Sequence, residues 1–154
     1  MKFGGIPGDV TTDGYKDWIE LNSFQYGVGR AVSSGAGGNT RESSAPNVSE
    51  IVVTKHFDKA SAKLYQDSVA GTFDTKVVIK MNTTTKNATE TFLTFELTDC
   101  GVSSYSLSSG GDNPMESLSL NFLKIMVTPS PLDKSGQSKK GDMVTYDLLE
   151  MKAS

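Results

Sequence analysis

Few residues of this 154-residue chain are of the types that catalyse, and their spacing limits what they can do. The single histidine, His56, stands two residues before Asp58. An imidazole that titrates near neutral pH, beside a carboxylate that can orient it, is the beginning of an acid/base pair. A triad would also need a nucleophile on a defined elbow, and no Gly-x-Ser-x-Gly is present. Alternation along the surrounding strand points His56 to the polar face. The single cysteine, Cys100 in Thr98-Asp99-Cys100-Gly101, has no basic neighbour in sequence to lower its pKa and cannot form an internal disulfide. One His and one Cys exclude a multi-His metal centre or a Cys2His2 site. Asp9, Asp13, Asp17 and Glu20 lack the Asp-x-Asp-x-Asp-Gly order of a calcium loop. Gly35-Ala36-Gly37-Gly38 is followed by Asn39-Thr40-Arg41, not by the Lys-Ser/Thr of a phosphate cradle. No catalytic residue, cofactor or metal is therefore expected. Trp18 and Tyr26 could line the sugar-binding face of a monomeric barrel, although their spacing equally suits core or interface packing, which burial statistics favour.

Composition sets the frame for these residues. A formal charge of −3, from 15 basic and 18 acidic side chains, gives no positive field to attract nucleic acid or anionic lipid, so neither is an expected partner. The longest apolar stretches, such as Ile51-Val52-Val53, fall far below the roughly 20 residues of a membrane-spanning helix. The N-terminal stretch breaks at Gly4-Gly5 and Pro7-Gly8 and lacks the apolar segment of a secretory signal. Synthesis in the cytoplasm without a cleaved signal peptide is the expectation. The length suits a single domain over residues 1–154, able to bury roughly 70% of its unfolded surface. With 19 Ser and 15 Thr, 15 Gly and only 8% aromatic residues, the chain reads as mainly β, with short strands and polar turns.

Along the chain, Lys16 to Val28 reads as a long strand whose apolar phase flips near Asn22-Ser23, which predicts a bulge there. Gly29 to Asn47 is a long, flexible, extended loop without a large apolar anchor. Val48 to Phe57 alternates as a half-buried strand, with Ile51, Val53 and Phe57 on one face. Ser61 to Ala70 is the one short α-helix, with Ser61 as its N-cap, Leu64, Tyr65 and Ser68 as its stripe and Gly71 as its stop. Further strands are expected over Thr75–Asn82, Glu90–Thr98, Val102–Ser108, Met115–Thr128 and Met143–Met151. In Met115–Thr128, Leu118, Leu120 and Phe122 occupy one face and Leu123, Ile125 and Val127 the other. That pattern means either a phase shift or a strand buried on both sides by the helix or a second subunit. The whole suggests a small β-barrel of two packed antiparallel sheets.

Several stretches together resemble the Hcp (haemolysin-coregulated protein) family, the inner-tube proteins of the bacterial type VI secretion system. Val53-Thr54-Lys55-His56-Phe57-Asp58-Lys59-Ala60-Ser61-Ala62-Lys63-Leu64 is similar to the family's strand-to-helix signature; many relatives carry Pro where Ala62 stands, and both suit the first helical position. Lys16 to Leu21, Cys100 to Ser106, Glu116 to Phe122 and Tyr146 to Ala153 are similar to further family segments, so the resemblance spans nearly the whole chain. It implies a barrel with one helix, six copies closing into a ring, and rings stacking into a tube expelled by contractile sheath proteins. A spike protein caps such a tube and effector proteins ride in its lumen. It implies no enzymatic activity, and export by type VI secretion. The Gly29–Asn47 loop corresponds to one that reaches a neighbouring ring, which makes Arg30, Val32, Ser34, Gly35, Gly37, Gly38, Asn39 and Arg41 its expected stacking residues. Leu123, Ile125 and Val127 are expected at a subunit interface or in the core.

Overall fold

The computed structural model describes residues 1–34, 41–85 and 88–154, with the backbone alone at Ser34, Arg41 and Glu42. Its elements in chain order are β1 (Lys2–Phe3), β2 (Ser23–Gln25), β3 (Val28–Gly29), β4 (Val32–Ser34), β5 (Arg41–Ser43), β6 (Asn47–Val48), β7 (Ile51–His56), α1 (Ser61–Ala70), β8 (Thr75–Thr84), β9 (Thr89–Ser108), β10 (Met115–Asn121), β11 (Lys124–Pro129), β12 (Val144–Asp147) and β13 (Lys152–Ala153). The organising element is β9. Where the sequence predicts two strands, Glu90–Thr98 and Val102–Ser108, one strand of 20 residues runs through both. Asp99 takes a left-handed φ of 50°, tolerable for an aspartate, and the ladder to β8 slips nearby without ending. The first half of β9 pairs with β8 on one edge and with β11 on the other. Its second half pairs with β10. From there one wing continues through β7 to β2, the other through β12 to β13, and β1 joins β8. All pairings are antiparallel, and nine strands form one sheet that curls on itself. The Phe24 ring of β2 meets the Phe95 ring of β9 across the interior at 4.8 Å. The mainly-β class with one helix is as expected, the two packed sheets being two halves that share β9.

The core is filled from both halves, by Ile51 and Val53, Val77 and Ile79, Leu97 and Val102, Leu118 and Leu120. Each such side chain contributes roughly 1.5–3 kcal/mol on burial. Phe122 and Ile125 belong to the same cluster, and Val127 packs against it. The chain breaks strand pairing at Phe122–Leu123, between β10 and β11, and that one-residue change of phase turns both runs inward. The apolar flip is thus a phase shift, the first of the two alternatives, and the strand buried on both sides drops out.

Three other expectations change. Lys16–Asn22 is irregular, tied to the chain start by Ile19 N–H to Met1 O at 2.7 Å and Gly8 N–H to Asp17 O at 2.8 Å, so the flip near Asn22-Ser23 marks the start of β2 and not a bulge. A Cβ on Gly8 would overlap the Trp18 carbonyl, which is why glycine stands there. Met143–Met151 holds only β12, because the Asp147 carboxylate accepts from the N–H groups of Leu149 and Glu150 at 2.9 and 3.1 Å and turns the chain back toward β13. The Gly29–Asn47 loop carries paired backbone: β3 pairs with β6, and β4 with β5 through Val32↔Ser43 to Ser34↔Arg41. Among the described residues no other strand and no helix packs on β4 or β5, so this ribbon forms an arm apart from the barrel.

The helix spans Ser61–Ala70 as predicted, but Ser61 is not its cap. Ala60 stands at the cap position without a side-chain cap, and Asp58 holds the turn before it: its Oδ1 accepts from the Ala60 N–H at 2.9 Å and its carbonyl from the Ser61 N–H at 3.1 Å. The buried face is Ser61 and Leu64, whereas Tyr65 is exposed. Gly71 is extended, with φ −71°, and is needed for another reason: a Cβ there would stand 2.5 Å from the Asp67 carbonyl oxygen.

Candidate functional site

The densest polar constellation lies where β7 hands over to α1. Lys55 follows Ile51 and Val53 on the inward phase of β7, and Glu116 precedes Leu118 and Leu120 on the inward phase of β10; the register sets the two opposite each other. Both are fully buried. Lys55 Nζ donates to Glu116 Oε2, to the His56 carbonyl at 2.8 Å and to Ser61 Oγ at 3.2 Å, and pairs with Asp58 Oδ1 at 2.8 Å. Glu116 also accepts from Ser61 Oγ at 2.7 Å and Tyr105 Oη at 2.6 Å. Burial by itself would raise the Glu116 pKa, but hydrogen bonds from Lys55, Tyr105 and Ser61, with the lysine charge, hold it below the ordinary value. Burial and the Glu116 carboxylate beside it push the Tyr105 phenol up to about 12. Every polar atom here is satisfied, so the cluster fixes structure and offers no free acid, base or nucleophile. The sequence reading passed over Lys55 and Glu116, yet a signal was present: two opposite charges, each in phase with apolar neighbours on its strand.

The expected chemical candidates do not assemble. His56 is exposed at the end of β7, while Asp58 Oδ1 is engaged by Lys55 and Ala60, so no acid/base pair forms. Phe57, expected inside, is about half exposed because β7 ends before it. Cys100 is buried, and burial together with the nearby Asp67 charge pushes its thiol up to about 12. Asp9 and Asp17 face Lys59 at 4.0 and 3.1 Å, and no group of three metal-ligating side chains occurs among the described residues. Trp18 and Tyr26 part company. Trp18 stacks edge-on with Tyr15 at 5.2 Å under Lys80 Nζ, in an open cleft of about 420 Å³, whereas Tyr26 packs on Phe95 at 5.7 Å. They form no common sugar platform.

Of the expected contact residues, Arg30 donates from Nε to the Ser44 carbonyl at 3.3 Å and from its terminal nitrogen to Ser43 Oγ, bracing the base of the arm. Val32 is exposed on β4, and Ser34 and Arg41 face each other in the ladder. Gly35, Gly37, Gly38 and Asn39 lie outside the described residues. Ile125 belongs to the core, Val127 is half-buried against it, and Leu123 is half-buried at the β10–β11 break.

The sequence profile of one family, described as "Type VI secretion system effector, Hcp", matches residues 1–128. A solved structure described as that of a type six secretion system protein superposes with a TM-score of 0.91 at 26% identity, over 99% of this chain and 96% of that one. Hcp1 from Salmonella typhimurium gives 0.73 at 18% identity over 99% and 96%, and a type VI secretion system effector from Yersinia pestis gives 0.72 at 18% over 95% and 96%. At that identity the latter two speak for the fold. No curated protein sequence matches the chain. With more than four-fifths of its length matched by one family's profile, and a fold shared from end to end with secretion-system structures, the chain belongs to the Hcp family of type VI secretion proteins.

Proposed function

We propose that the chain is a structural subunit of a type VI secretion tube. Six copies close into a ring around a wide channel, rings stack through the β4–β5 arm, and effector proteins travel in the lumen. A spike protein and contractile sheath proteins are its further partners. Synthesis is in the bacterial cytoplasm, and export occurs through the secretion system. No catalytic step and no cofactor enter this reading. The observation that carries it is the family match over residues 1–128. The arm favours it too: a ribbon whose strands pack only on each other among the described residues leaves its polar edges available to another ring. Native mass spectrometry with electron microscopy of the same sample tests the reading. Open rings of 6 × 16.5 = 99 kDa support it, and a 16.5 kDa monomer at every concentration refutes it in favour of a ligand-binding monomer.

A further inference from the structure

We propose that neighbouring copies meet through two unlike apolar patches on opposite flanks of β9, the outer face of α1 on one and the β12–β13 turn on the other. This rests on the ring reading and names its contact. The topology separates the flanks. On one edge of β9 lies β8, and past the end of that ladder α1 packs on β9 itself, its Asp67 carboxylate accepting the Val102 N–H at 2.8 Å. On the other edge lie β10 and β11, followed outward by β12 and β13.

Each flank is more apolar than solvent contact would explain. Six residues of α1 are exposed, Ala62, Lys63, Tyr65, Gln66, Val69 and Ala70, and Lys63 is the one charge among them. A helix whose outer face meets water usually carries its charges there. Tyr65 is 54% exposed, Val69 one turn later 66%, and Leu107 on the strand beneath 51%. On the far flank Val144 is 56% exposed, Leu149 74% and Met151 65%, with Glu150 and Lys152 the exposed charges among them. With three side chains each half to three-quarters exposed, either patch offers on the order of 200–300 Å² of apolar surface. A standard interface covers about 800 Å² per partner, a little over half of it apolar, so one patch against the other supplies the apolar centre of such a contact. Joining unlike patches on opposite flanks repeats head to tail, and the repeat ends in a ring when its rotation closes; either patch against itself would stop at a dimer.

Val69→Asp and Leu149→Asp test this, because both positions are exposed and neither change alters the core. Native mass spectrometry is expected to show each variant at 16.5 kDa where the wild type gives 99 kDa, with unchanged far-UV circular dichroism. Each variant keeps one intact patch, so an equal mixture is expected to form a 33 kDa pair, twice 16.5 kDa, and nothing larger. The milder Val69→Ser and Leu149→Ser take their place if circular dichroism shows loss of fold. A folded variant that still forms 99 kDa rings overturns the assignment of that patch while leaving the ring reading intact. Monomeric variants whose mixture never pairs overturn the head-to-tail contact. A monomeric wild type removes the ring reading and this inference together.

Discussion

Replacing Lys55 by Met would leave the Glu116 carboxylate buried with two hydroxyl donors and no cation. Its partners Ser61 Oγ and Tyr105 Oη remain at 2.7 and 2.6 Å, but the charge is uncompensated at a site without solvent exposure. Breaking a buried pair in this way costs about 3–5 kcal/mol. At a urea slope of roughly 2 kcal/mol per molar, the midpoint should fall by about 2 M. Glu116→Leu should cost less, about 1–3 kcal/mol, because the ammonium keeps Asp58 Oδ1 at 2.8 Å while the Ser61 and Tyr105 hydroxyls lose their acceptor. The double variant Lys55→Met/Glu116→Leu should stay within about 2 kcal/mol of wild type, since exchanging a buried pair for apolar groups is often neutral and Asp58 keeps the Ala60 N–H at 2.9 Å. The Ser61 hydroxyl still accepts the Asp58 N–H at 2.9 Å in that variant, and the half-exposed Tyr105 turns to water. Urea unfolding followed by circular dichroism at fixed protein concentration gives the cycle. The pH dependence has a definite sign. Because the folded carboxyl pKa lies below its ordinary 4.5, its stabilising contribution is complete above that value and is lost as the pH falls through the folded pKa. Wild type should therefore lose stability below pH 4.5 faster than the double variant. Additive single and double costs, or a single cost under about 1 kcal/mol, would refute the coupling.

Cys100 should resist iodoacetamide at pH 8 in the folded protein and react fully in urea, because its thiol is buried and pushed up to about 12; labelling at the free-thiol rate under native conditions would contradict this. Ile125→Ala should lower stability by about 2–5 kcal/mol as a core cavity, leaving the folded fraction's native mass unchanged; altered assembly at unchanged stability would return Ile125 to an interface. Replacing residues 32–43 by a short turn should hold the melting temperature within about 2 °C, since among the described residues no other strand or helix packs on the arm, while stacked tubes disappear from micrographs and single rings persist. Loss of the rings themselves would show that the arm acts within a ring.

Much of this architecture was legible in the chain, where local patterns and tertiary contacts agree. The Ile51 and Val53 alternation, the helix over Ser61–Ala70 and the strand beginning at Thr75 all stand as read. What escaped depends on partners distant in sequence. The Thr98-Asp99-Cys100-Gly101 stretch looks like a turn by residue type, yet β8 and β11 on either side hold it in one continuous strand. The Leu118–Val127 flip is ambiguous by periodicity alone, and only the pairing break at Phe122–Leu123 says that both runs face one core. Ser61 looks like a helix cap, but a better use of its hydroxyl is offered by Glu116, 55 residues away. For the contact residues, sequence placed the arm and could not place the apolar flanks, because exposure at Val69 and Leu149 follows from how the sheet curls.

Three of the five stretches that carried the family resemblance meet in space at the buried corner. Lys55, Asp58 and Ser61 come from the strand-to-helix signature, Tyr105 from the Cys100–Ser106 segment and Glu116 from the Glu116–Phe122 segment. A polar network of this kind has a physical reason to persist as a set. Intact, every donor and acceptor is paired; with one member lost, the remainder holds a donor, an acceptor or, at Lys55, a charge without its partner in the core, and only simultaneous exchange of several members restores the balance. Single substitutions are therefore resisted at each of five positions spread from residue 55 to residue 116, while exposed positions around them are free to drift. That asymmetry is compatible with a fold shared at 26% identity with a solved type six secretion system protein. It also separates two demands on the molecule. The corner sets where α1 starts and so how its outer face is presented, and the outer face itself, which the corner does not constrain, is where contacts between copies can be tuned.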